Sequence, residues 1–97
     1  MGAAELEALL QGEQRLVLVE FWTARCEPCR ELRADLERLA GDHQHVRVVA
    51  VDGDREPAAA GRHGVSEYPT LVFFKRGQEL TRFRAGALPA STRRLLE

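Results

Sequence analysis

The segment Leu16-Val17-Leu18-Val19-Glu20-Phe21-Trp22, an apolar run broken by one acid, limits the folds open to this chain more than any other feature. It does not alternate like a strand with one wet face, and it is too short for a buried helix, so it reads as a strand covered on both faces. Such a strand needs packing partners above and below it, and this predicts a layered α/β domain with the strand at its centre. The flanking segments have the patterns to supply those layers. Leu6, Leu9 and Leu10 fall at helical spacing in Ala3 to Gln11, with Gly12 as the expected stop. From Cys29 onward, Leu32, Leu36 and Leu39 recur at four and three residues between Glu31, Arg33, Asp35, Glu37 and Arg38, which predicts a helix with one buried face that Gly41 ends.

Val46 to Val51 is Val-rich and reads as a second strand, so strand, helix and strand form a right-handed βαβ unit with the two strands parallel. Pro57, three alanines and Gly61 predict a short helix with Pro in its first turn. Thr70 to Phe74 is a third strand, Lys75-Arg76-Gly77-Gln78 a turn, and Leu80 to Ala85 a fourth strand in which Thr81, Phe83 and Ala85 alternate with Arg82 and Arg84. That pair is a hairpin at a sheet edge. A last short helix is expected over Pro89 to Leu96.

At 97 residues, with 44% hydrophobic and 30% charged residues, residues 1–97 are expected to form a single domain. Fourteen basic and fifteen acidic residues leave a net charge of -1, and no basic run stands out, so neither nucleic acid nor an anionic membrane is an expected partner. No uninterrupted apolar stretch is longer than that of Leu16 to Val19, which is far short of the roughly 20 residues of a membrane helix. No basic-then-apolar leader opens the chain, and the expected location is the cytoplasm.

Cys26-Glu27-Pro28-Cys29 lies where the central strand hands over to the amphipathic helix. The pair can be a redox couple, half of a zinc site or two small core residues. The histidines, His43, His45 and His63, lack the spacing that completes a zinc site and are expected at the surface. For exchange chemistry the placement is apt. The thiolate is the nucleophile, a free Cys titrates near about 8.5, and free N–H groups at a helix start stabilise the anion. Cys26 is then the attacking thiol, Cys29 the more buried resolving thiol, and Pro28 stiffens the turn between them.

Glu20-Phe21-Trp22-Thr23-Ala24-Arg25-Cys26-Glu27-Pro28-Cys29 resembles the active-site segment of thioredoxins. Tyr68-Pro69-Thr70, Phe74-Lys75-Arg76-Gly77 and Gly86-Ala87-Leu88 resemble their second half, in the same order. The resemblance implies a thioredoxin-like α/β fold: a four-stranded mixed sheet in the order second, first, third, fourth, flanked by helices and lacking the extra N-terminal strand of larger relatives. It implies a protein disulfide reductase that needs no cofactor beyond its own cysteine pair, acts on protein disulfide clients and is reduced by a donor such as a thioredoxin reductase. Pro69 is then cis, and Tyr68-Pro69 holds an extended client chain; read alone, Pro69 could equally be a strand-start residue.

Glu20 stands where the family has a buried Asp and is expected to take the proton of Cys29, although an acid at this place could also reach solvent. Trp22 resembles the Trp packed beneath the family's active site. Arg25 and Glu27 depart from the usual Trp and Gly and place opposite charges on the two sides of Cys26, while Tyr68 is bulkier than its counterpart. With Trp22 and Pro28 these are the expected client contacts. Ala34 and Val48 replace a Pro and a Lys, which predicts a plain apolar setting for Glu20. An alternative function is a thioredoxin-like interaction or assembly module without turnover. The Val46 to Val51 strand is expected at a sheet edge, which suggests a monomer or weak dimer.

Overall fold

The computed structural model describes residues 1–84 and 93–96. The elements are α1 (Ala3–Gly12), β1 (Leu16–Trp22), α2 (Glu27–Asp42), β2 (Val46–Asp52), α3 (Pro57–Arg62), β3 (Thr70–Lys75), β4 (Gln78–Phe83) and α4 (Arg93–Leu96). One four-stranded sheet has the order β2-β1-β3-β4, as expected, with β1 parallel to β2 and antiparallel to β3. Ala85, the Gly86-Ala87-Leu88 motif and the Pro89 end of the expected last helix lie outside the described residues.

The period-two geometry of β1 divides its side chains between two cores. Val17, Val19 and Phe21 join Val49, Val51, Val72 and Phe74 on the face covered by α1 and α3. Leu16 and Leu18 join Val46, Leu71 and Phe73 on the face covered by Leu32, Leu36 and Leu39 of α2 and Leu96 of α4. Glu20 belongs by parity to this second face, beneath α2, and is 2% exposed.

Several boundaries differ from the sequence reading. α2 runs through Gly41 to Asp42 and is closed by His43, whose N–H donates to the Leu39 carbonyl. Gly41 faces open space, so nothing in the packing asks it to leave the helix. The hairpin turns at Arg76 and Gly77, both with positive φ, which suits the right-handed twist of the paired strands and draws β4 back to Gln78. A register shift between Phe73 and Phe74 keeps Phe83 on the α2 face, where its ring meets Phe73 edge-on.

His45 is exposed, as expected, but His63 is less superficial than expected. His63 is 13% exposed; it bonds to Glu7 across α1 and α3 and packs its ring on Phe21 and Phe74. A neutral or charged imidazole has an apolar body, and here that body packs against the Phe21 and Phe74 rings of the core that Leu6 and Leu10 also enter. His45 bonds the Leu96 carbonyl and so ties α4 to the loop before β2.

Candidate active site

β1 ends at Trp22, and the chain turns through Thr23 to Arg25, with the Cys26 N–H donating to the Thr23 carbonyl at 3.2 Å. Cys26 is the extended N-cap of α2, and Pro28 lies in the first helical turn, where its missing N–H costs no helical hydrogen bond. The Cys29 N–H donates to Cys26 Sγ at 3.2 Å, so the sulfur does the capping work more often done by a Ser or Asp oxygen. The two cysteines are joined as a disulfide with Cα atoms 5.3 Å apart. Each sulfur is thus the other's partner, which is the redox couple and not half of a zinc site. Cys26 is 9% exposed and Cys29 is 3% exposed, so the pair is graded in access as expected.

Beside the disulfide lies a cleft of about 450 Å³ whose lining includes Trp22, Cys26, Cys29, Arg30, Arg33 and Glu37. Of the expected site residues it gathers both cysteines and Trp22. Arg25, Glu27 and Pro28 do not line it; they are exposed on the turn that carries Cys26. The Tyr68–Pro69 peptide bond is cis, Pro69 is buried and Tyr68 half-buried. The Tyr68 ring lies directly over Gly53 and leaves no room for a Cβ there. Gly53 in turn donates its N–H to the Trp22 carbonyl at 2.7 Å, which links the Tyr68 segment to the end of β1. Burial, helped by the Asp54 and Asp52 carboxylates, pushes the Tyr68 phenol above its usual range, so its hydroxyl stays protonated.

Glu20 is not in a plain apolar setting. Arg33 reaches from α2 and places its Nη2 3.1 Å from Glu20 Oε1, and the same guanidinium lies 4.6 Å from the centroid of the Trp22 ring. Sequence reasoning missed Arg33 because it read the charged positions of α2 as solvated. The signal was the spacing: Cys29, Arg33 and Glu37 are four residues apart and share one stripe of the helix. All three line the cleft, and Arg33 and Glu37 also line a second pocket of about 240 Å³ that contains Glu20. Burial raises the Glu20 carboxyl above the usual carboxylate range, with the Arg33 charge and hydrogen bond opposing it. Glu20 Oε2 is buried and has no hydrogen-bond partner among the described residues.

The thioredoxin family model matches residues 2–94. A thioredoxin of Chlamydia trachomatis is 43% identical over 67 residues, which are 69% of this chain and 66% of that protein. Thioredoxin-2 of Saccharomyces cerevisiae is 32% identical over 94 residues, covering 97% of this chain and 89% of the yeast protein. The X-ray structure of Fasciola hepatica thioredoxin superposes with a TM-score of 0.88 at 34% identity, over 98% of this chain and 91% of that one. With a matching fold and a closed cysteine pair at the start of α2, the chain belongs to the thioredoxin family of thiol–disulfide oxidoreductases, whose redox centre is the protein's own disulfide.

Proposed function

We propose that this chain reduces disulfide bonds of client proteins through Cys26 and Cys29. The observation that carries the reading is the Cys29 N–H aimed at Cys26 Sγ at the N-cap of α2. In the reduced protein the same donor faces a thiolate, and hydrogen bonding to the charged form lowers a thiol pKa. The Cys26 thiolate attacks one sulfur of the client disulfide and the other leaves as a thiolate. Cys29 then gives its proton to Glu20 and attacks Cys26 Sγ, which releases the second client sulfur and forms the Cys26–Cys29 bond. Two electrons and two protons from a donor such as a thioredoxin reductase restore the dithiol.

Trp22, Arg25, Glu27, Pro28, Tyr68 and Pro69 form the client surface in this reading. The exposure of Arg25, Glu27 and Pro28 beside Cys26 supports it. Tyr68 contributes through its backbone, because its ring is turned onto Gly53. The cysteine chemistry suits a reducing cytoplasm, where such pairs cycle instead of persisting as staples. Replacing Cys29 with Ser leaves no thiol to resolve the intermediate, so clients are expected to accumulate on Cys26 as mixed disulfides while the wild-type protein reduces insulin disulfides. No trapped client together with no insulin reduction by the wild type refutes the proposal.

A further inference from the structure

We propose that Arg33 is a positioning residue for this reaction: its guanidinium, held over Trp22 and bonded to Glu20, sets how readily Glu20 accepts the proton of Cys29. The inference rests on the proposed role of Glu20 and assigns a function to a side chain that neither the cysteine motif nor the charge pattern of α2 singles out.

The argument starts from what a buried base requires. To take a proton from a thiol, a carboxyl must be ionised before the step, and burial alone favours the neutral acid. Glu20 is 2% exposed, and the groups around it supply little help. β2 presents Val48, Val49 and Ala50 to its pocket, and Leu71 of β3 is its partner across the sheet. The charged groups facing this pocket are on α2: Arg33, and Glu37, whose charge has the wrong sign to favour a second carboxylate. Arg33 alone among these neighbours therefore keeps Glu20 available as a base.

Geometry makes that cation a fixed one. A lone Arg–carboxylate pair at 40% exposure of the Arg side chain would be loose and weak. Stacking on Trp22 restrains the guanidinium plane, and a planar fork can face a ring and donate from its edge at once, which an ammonium cannot do. Arg33 also lines both the cleft at the disulfide and the pocket of Glu20. It bonds Oε1 and, among the described residues, Oε2 has no partner, so one oxygen is held while the other can receive a proton. A client seated at Cys26 and Cys29 meets the same Trp22 and Arg33, so the proton acceptor and the docking cleft share one side chain.

The test reads Glu20 directly. In the oxidised protein, where neither cysteine titrates, the Glu20 side-chain carboxyl is followed by carbon-13 NMR from pH 3 to 10 in the wild type, Arg33→Met and Arg33→Lys. Arg33→Met keeps the apolar stem, and because Arg33 is partly exposed the variant is expected to fold. Its Glu20 midpoint is expected to rise by about one pH unit, a roughly tenfold gain in proton affinity. Arg33→Lys is expected to recover part of that shift. The pH profile of insulin reduction should move by the same amount in Arg33→Met, and the substitution should have no further effect on that profile in a Glu20→Gln background. An unmoved Glu20 midpoint overturns the proposal, as does an equal shift of the rate profile in the Glu20→Gln background. If the midpoint moves but Glu20→Gln leaves the rate profile of the otherwise wild-type protein unchanged, Glu20 is not the proton acceptor, and the catalytic role of Arg33 falls with that reading.

Discussion

Replacing Glu20 with Leu should make the protein more stable at neutral pH and less active, and the gain should depend on pH in a defined direction. The Glu20 carboxyl is raised by burial, so the folded protein holds its proton more tightly than the unfolded chain does. Between the unfolded carboxylate pKa near 4.5 and the raised folded value, the native state binds the extra proton. Wild-type stability therefore falls as pH rises through that window. Above it, the native state carries a buried carboxylate with one oxygen unpaired among the described residues. Desolvating a carboxylate costs several kcal/mol, and Arg33, which is 40% exposed, offsets only part of this. Exchanging a buried ionic group for a well-packed apolar one commonly stabilises by about 1–4 kcal/mol, and with the Arg33 pair lost about 2 kcal/mol is expected here. For a domain of this size that is a rise of about 10 °C in Tm. Urea unfolding of the oxidised proteins, followed by Trp22 fluorescence at intervals from pH 4 to 8, should show the variant ahead at pH 8 and the two converging toward pH 4. A variant less stable than wild type at pH 8, or a difference that does not vary with pH, refutes the reasoning.

Two further substitutions test the scaffold around the site. Gly53→Ala places a Cβ inside the Tyr68 ring, so the ring must move; a loss of about 1–3 kcal/mol is expected, with slower insulin reduction as the Tyr68–Pro69 segment shifts. Unchanged urea unfolding would show that the ring yields freely. Arg76 has φ 52 at the first turn position of the hairpin, where an Asn-Gly pair is preferred, so Arg76→Asn should add about 0.5–1 kcal/mol without altering insulin reduction. No rise in the urea midpoint would count against the strain assigned to that turn.

The sheet order was legible only through the resemblance to thioredoxins, whereas the two-faced burial of β1, the parallel crossover through α2 and the place of the cysteines were legible in the residues themselves. They follow from periodicity and from the order of segments, which are local patterns with few competing solutions. Helix ends were less legible: Gly41 looks like a stop, yet the helix passes through it because no neighbour requires the chain to turn there. His63 looked superficial because polarity alone suggests solvent, whereas Phe21, Phe74 and Glu7 from three different elements give its ring and its nitrogen a place inside.

By itself the sequence determined the chemistry of this protein. Two cysteines at the mouth of a helix that follows a doubly buried strand are apt for thiol exchange, because strand, turn and helix start lie next to one another in the chain, and the resemblance to thioredoxins selects that reading over a zinc half-site or two core residues. The tertiary structure decided the surroundings in which that chemistry runs. Glu20 and Arg33 are thirteen residues apart, and β1 and α2 must pack before they meet. Gly53 and Tyr68 come together only when β2 and β3 pair on the two sides of β1. Charges are paired by distance in space, and for these residues the distance is set by packing and not by spacing along the chain.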